Sequence, residues 1–294
     1  MFTYLKLLGT MACWGGTFVA GRMLAGEVSP FSAAFLRFVF AGLMLSVLLY
    51  RVEGCFPRLT LHQVGFVLLL GLTGVLGYNI AFFKGLETVS AGRAGLIIAL
   101  NPIGIALVSA LIGSEPLSLI KTLGVLISVA GAMLVISDGH PSLLANGIGG
   151  GELVLFGCVL CWSLYSVLGR RTMRDLSPLT AVSYSAVAGA LFLFPLALWQ
   201  GRVTDLFSYS PHAWASLFYL AFFGTVIGFL WYYQSIKEIG AVRSGVFINF
   251  VPLFAMVFGA LLLDEPLTVG LLQGGSLVIV GAWITNNSGF RLKT

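Results

Sequence analysis

Thr10, Trp14, Thr17 and Gly21 recur at i, i+4, i+7 and i+11, so they share one helical face. Cys158, Trp162, Tyr165 and Gly169 repeat the spacing later in the chain. Both tryptophans fall in the middle of long apolar runs. An indole at that depth needs an acceptor for its N–H or a wet cavity beside it. Lining a cavity and packing between helices are the two readings of these faces. Tyr78 and Asn79 bring polar tips into a further apolar run. Arg37 lies about two turns inside another, where its guanidinium either snorkels to headgroups or pairs with the carboxylate of a bound solute. Pro102 and Pro252 fall near the centres of two more runs. A proline there removes a donor and frees carbonyls that a wet cavity could re-satisfy, so both read as kinks. Asn101 and Asn249 lie beside them and could give amide contacts to a solute, while Gly95 and Gly245 join the prolines as candidate bending points.

Other chemistry is not encoded. The carboxylates lie in predicted loops or at the ends of apolar runs, as do His62, His140 and His212, so no buried acid is placed for an ion relay. Cys158 and Cys161 form a C-x-x-C with no second pair and no nearby histidine, which reads as packing and not as a metal site. Ser163 and Ser166 have no base at their level, which argues against a membrane-embedded enzyme. No Walker A motif is present. No cofactor is expected.

The elements that position these residues follow from composition. The chain has 294 residues, 58% hydrophobic and 9% charged, with mean hydropathy +0.99. Soluble domains are about 25% charged, so a water-solvated globule and a disordered chain are both excluded. The basic residues are scattered, which does not imply nucleic acid as a partner. Hydrophobic runs predict ten transmembrane helices near 4–24, 31–50, 62–83, 90–112, 119–137, 151–170, 178–199, 212–235, 242–263 and 268–286. Lys and Arg then set the orientation. With the N-terminus cytoplasmic, eleven fall inside against four outside, Arg22, Lys84, Arg93 and Arg202, so both termini are expected in the cytoplasm. The Arg170-Arg171…Arg174 cluster reads as a loop that fixes topology. Trp231, Tyr232 and Tyr233 read as interface anchors, with a gate as the alternative, and the glycine-rich fifth and tenth runs as peripheral packing elements.

The two halves also match each other. Trp14 and Ser29-Pro30 align with Trp162 and Ser177-Pro178 at an offset of 148. Arg93, Gly95, Pro102, Glu115-Pro116, Gly124 and Gly131 align with Arg243, Gly245, Pro252, Glu265-Pro266, Gly274 and Gly281 at 150. Five spans per half is an odd number, so the second copy must enter from the opposite face. The expected plan is an all-α membrane protein of two inverted five-helix repeats, 1–138 and 151–287, joined by a linker at 139–150. Such repeats hold substrates near the midplane between them.

In this order the motifs resemble the drug/metabolite transporter superfamily in its EamA-type branch. They are Trp14-Gly15, Ser29-Pro30 with Arg37, Gly95…Asn101-Pro102 and Glu115-Pro116-Leu117 with Gly124 and Gly131. The second copy has Trp162, Ser177-Pro178, Pro252, Asp264-Glu265-Pro266-Leu267, Gly274 and Gly281. One departure is that Arg37 aligns with Ser185, so any role for it is not duplicated. Within the branch the chain looks most like YddG-type amino-acid exporters. The resemblance implies export of aromatic and other neutral amino acids across the bacterial inner membrane by alternating access. With no buried acid, movement down a substrate gradient fits that plan better than ion coupling. Trp14, Thr17, Arg37, Tyr78, Asn79, Asn101, Trp162, Tyr165 and Asn249 are the candidate substrate contacts. The expected partners are a small-molecule substrate and the lipid bilayer; the sequence leaves the oligomeric state open, and a monomer is compatible with the plan. The rival is another metabolite, such as a sugar phosphate, a nucleotide sugar or a drug; phosphate recognition would want more than one deep cation, and only Arg37 qualifies.

Overall fold

The fold is drawn from a computed structural model, which describes residues 2–24, 27–89, 91–113, 118–137, 148–199, 209–263 and 269–287. Among these, every regular element is helical. The helices are α1 (Phe2–Leu24), α2 (Pro30–Glu53), α3 (Leu61–Leu86), α4 (Ala91–Ile98 and Asn101–Leu111) and α5 (Leu119–Ser137). They continue as α6 (Gly150–Thr172), α7 (Pro178–Trp199), α8 (Pro211–Ile239), α9 (Ala241–Gly245, Val246–Phe250 and Val251–Leu263) and α10 (Val269–Asn287). Nine segments of the described chain are long and apolar enough to cross a membrane; α1, with 23 residues, lies outside that set. The Glu115-Pro116 and Asp264–Leu267 turns, most of the 139–150 linker, His140, Arg202 and the side chain of Arg93 lie outside the described residues.

The repeated Ser-Pro pairs are helix starts. Ser29 Oγ accepts the Ser32 N–H at 3.4 Å, and Pro30 opens α2. Ser177 Oγ accepts the Thr180 N–H at 3.0 Å, and Pro178 opens α7. The capping hydroxyl satisfies a first-turn donor, and proline there loses none it needed. Two acids seen in the sequence as loop residues turn out to tie helix ends together. Glu53 accepts hydrogen bonds from the Ser177 and Thr180 hydroxyls, joining the end of α2 to the start of α7. Glu27 accepts from the backbone N–H and the hydroxyl of Ser210 at the start of α8.

The prolines differ from the mid-helix kinks that the sequence suggests. In α4 the helix stops at Ile98 and restarts at Asn101, with Pro102 in the new first turn. In α9 the chain tightens to 3₁₀ over Val246–Phe250, and Pro252 lies in the first turn of the last piece. A restart places each proline where its missing N–H would have had no partner. Gly245 ends the first piece of α9, and Gly95 lies within the first piece of α4. A further irregularity has no counterpart in the sequence reading. The middle turns of α3 (Gly71–Gly77) and α8 (Phe222–Ile227) are π-helical.

Packing interleaves the halves. Helix α1 lies against α8 and α9, and α6 lies against α3 and α4. Likewise α2 packs on α8, and α7 on α3. Exchanging the halves maps each of these pairs onto another, and maps α2–α7 and α5–α10 onto themselves. The α5–α10 contact is backbone to backbone. A Cβ on Gly131 would come within 2.6 Å of the Gly274 carbonyl oxygen, and one on Gly281 within 2.6 Å of that of Gly124. Only glycine permits this approach. Outward faces carry exposed Leu43, Val47, Leu191, Leu272 and Trp283, an apolar exterior suited to lipid.

Gly131→Leu should therefore lower stability by about 1–3 kcal/mol, the cost of overpacking. Gly65, whose Cβ would meet open space, serves as the comparison: Gly65→Ala should be neutral or slightly stabilising. Thermal unfolding in detergent checks both, and an equal effect of the two substitutions would count against the backbone contact.

Candidate functional site

The two mid-helix tryptophans meet. Their rings are 5.3 Å apart and nearly perpendicular, at 81°. Around them α8 contributes Phe229, 6.0 Å from Trp14 and 5.5 Å from Trp162. Tyr232 lies 5.3 Å and 5.8 Å from the same two rings. Tyr165 of α6 stands 5.4 Å from Trp162 and 4.8 Å from Tyr233. Tyr78 of α3 meets Trp162 edge to face at 5.6 Å. Edge-to-face rings at such distances add about 0.5–1.5 kcal/mol per pair beyond their burial. Helices α1, α3, α6 and α8 thus converge on one aromatic box at the centre of the molecule.

The box is closed in this structure. Trp14 is 9% exposed and Trp162 7%, while Tyr165, Tyr232 and Tyr233 are fully buried. Tyr232 and Tyr233 are therefore not the interface anchors that the sequence suggests. Their hydroxyls bond inward: Tyr233 donates to the Tyr165 carbonyl at 3.0 Å, and the Tyr232 hydroxyl is 3.1 Å from Ser166 Oγ. Position toward the end of a span suggests an anchor, whereas these two rings are packed among other helices with their hydroxyls satisfied there.

The π-helical turn of α8 frees carbonyls, and side chains take them up. Trp14 Nε1–H donates to the Gly224 carbonyl at 2.9 Å. Arg37 Nη2 donates to the same oxygen at 3.2 Å, and its Nε donates to Thr225 Oγ1 at 2.7 Å. Thr225 in turn donates to the Leu220 carbonyl at 3.1 Å. Arg37 does not snorkel. Its guanidinium points into the bundle and lies 6.0 Å from the Phe229 ring. In the π-helical turn of α3 the helix serves itself: Asn79 Nδ2 donates to the Val75 carbonyl at 2.7 Å, and Thr73 donates to the Leu69 carbonyl at 2.7 Å. Trp162 is the positional counterpart of Trp14, yet its Nε1–H has no acceptor among the described residues.

The remaining sequence candidates divide. Thr17 lies beside the site: its hydroxyl donates to the Trp14 carbonyl at 2.5 Å, and its methyl packs where a Cβ on Gly224 would stand. Asn249 is turned to α5, donating to Ser128 Oγ at 3.1 Å. Asn101 is buried. The Oδ1 atoms of both asparagines lack donors among the described residues, and no described ring contact or hydrogen bond joins either to the box. The sequence reading missed Phe229, Thr225 and Gly224. The signal that could have found them is the alignment of Gly224 with Gly74 at the offset of 150.

The tryptophans should respond differently to loss of the indole N–H. Trp14→Phe should cost about 1 kcal/mol more than Trp162→Phe, because only Trp14 loses a buried hydrogen bond. Thermal unfolding of the two variants measures the difference, and equal costs would contradict the Gly224 contact.

The comparisons with known proteins agree with this architecture. The EamA-like transporter family model matches residues 1–137 and 149–287. The chain is 34% identical over 280 residues to the Bacillus subtilis (strain 168) protein named "Uncharacterized transporter YyaM", covering 95% of this chain and 91% of that one. It is 26% identical to "Uncharacterized transporter YetK" of the same organism, over 97% of this chain and 87% of the relative. A crystal structure at 22% identity superposes with a TM-score of 0.80 over 99% of both chains, a likeness of fold alone. With its apolar helices, this chain is a multi-pass membrane protein that belongs to the EamA-like transporter family.

Proposed function

We propose that the protein exports aromatic and other neutral amino acids across the bacterial inner membrane. In this reading ten spans form two inverted five-helix repeats, with both termini cytoplasmic, and the repeats exchange outward-open and inward-open packings. The observation that carries the substrate class is the company of Arg37. One cation, held by a carbonyl and a hydroxyl, stands beside a box of aromatic rings. A carboxylate outcompetes neutral acceptors for a guanidinium, and the box suits an apolar or aromatic side chain. Inversion draws support from the contact pairs that map onto one another and from the two family matches. Alternating access draws support from the unequal tryptophans: Trp14 holds the Gly224 carbonyl, and in the opposite state Trp162 would take the Gly74 carbonyl. Glu27 and Glu53 are engaged at helix ends, which fits movement without a coupling ion.

Uptake of labelled amino acids into proteoliposomes tests this. Arg37→Gln should lower phenylalanine uptake at least about tenfold, as expected for one charged hydrogen bond worth about 1.5–3 kcal/mol, and Arg37→Lys should restore it only in part because the fork is lost. Trp14→Ala or Trp162→Ala should alter substrate preference. Uptake that requires a proton gradient would overturn uncoupled movement. No uptake of any amino acid would turn the assignment to another metabolite.

A further inference from the structure

The start of α3 and the end of α6 do not meet flush. Between them lies a cavity of about 260 Å³, lined by His62 and Phe66 of α3 and by Arg171, Arg174 and Asp175 at and beyond the end of α6. It opens at the surface, since His62, Arg171, Arg174 and Asp175 are all exposed. Arg171 is held in place across the end of α4, its Nη2 donating to the Ile112 carbonyl at 2.9 Å. Neither arginine is ion-paired with Asp175 among the described residues, and the lining carries two arginines to one carboxylate. The positive end of the α3 dipole adds to the same field. That end is fixed by a capping box, in which Thr60 Oγ1 accepts the Gln63 N–H and Gln63 Oε1 accepts the Thr60 N–H at 2.9 Å. One helical turn further along α3 the surface becomes apolar and outward-facing at Leu68 and Leu69.

We propose that this cavity binds an anionic phosphate group, the chemistry shared by a phospholipid headgroup and a free phosphate ester. Arginine forks match phosphate oxygens two at a time. The site lies at the ends of two membrane-length helices, where the charged rim of the bundle gives way to its apolar wall. Phe66, which the His62 ring meets at 4.9 Å, supplies an apolar floor for the carbon that follows the phosphate. Asp175 sets the charge: it opposes a second negative charge, which favours the singly charged diester of a lipid over a doubly charged monoester. This inference is independent of the transported substrate.

Native mass spectrometry of the full chain in a neutral detergent tests it, with dioleoyl phosphatidylglycerol and dioleoyl phosphatidylcholine as probes. Phosphatidylglycerol should be retained and phosphatidylcholine should not. Arg171→Gln combined with Arg174→Gln should lower retention by about fivefold for each charge removed, whereas Lys84→Gln should not alter it. Asp175→Asn should raise retention, a gain that a misfolded variant would not produce. Displacement by millimolar inorganic phosphate assigns the cavity to a soluble phosphate, and resistance to it assigns the cavity to the lipid. Equal retention of both lipids, or retention that survives the double substitution, overturns the proposal.

Discussion

A backbone carbonyl inside a bilayer has no water to fall back on, and wherever a helix departs from regular geometry some other donor must reach it. In this protein that obligation concentrates on the carbonyl of Gly224. The π-helical turn of α8 releases it, and donors from two other helices converge there, Trp14 from α1 and Arg37 from α2. One oxygen thereby joins three helices. The aromatic box lies beside this point: just after the same turn, Phe229 and Tyr232 meet the tryptophans and Tyr233 meets Tyr165. Arg37 is kept inside the bundle by the dipoles of that turn.

The glycine contact between α5 and α10 is the complementary constraint. Their backbones touch with no side chain between them, so this pair has no room to repack. Other contacts between the halves bring in larger side chains, as where Ile105 of α4 meets Gly245 at the first break of α9. Rigid and irregular elements are thus segregated. The interrupted helices α3, α4, α8 and α9 surround the box or adjoin it, while α5 and α10 are each one unbroken helix and are closely paired.

Much of this was legible in the sequence for a physical reason: each apolar run of membrane length became helical, two of them in pieces, with ends within a few residues of the polar breaks. The Ser-Pro pairs read as boundaries and stand as caps. The meeting of Trp14 with Trp162 is in keeping with their shared offset. What the sequence hid were departures from the regular helix. Pro102 and Pro252 cannot say whether a helix bends or restarts. Gly74 and Gly224 look like packing glycines, and nothing in their neighbours announces an extra residue in the turn. Without the carbonyl that turn frees, Arg37 has no visible acceptor, which left snorkelling open, and a place near the end of a span does not tell that Tyr232 and Tyr233 are buried among other helices.

Arg37 also has an electrical side. Its hydrogen-bonded partners, the Gly224 carbonyl and the Thr225 hydroxyl, are dipoles without net charge, so among the described residues no carboxylate is bonded to the guanidinium to cancel its charge. The field of an energised membrane acts on it in proportion to displacement, with about 2.3 kcal/mol for one elementary charge carried through a 100 mV drop. A rearrangement that shifts α2 along the bilayer normal is work done with or against that voltage. A carboxylate bound at Arg37 would cancel the charge, and the loaded and empty forms would then respond differently to the membrane potential.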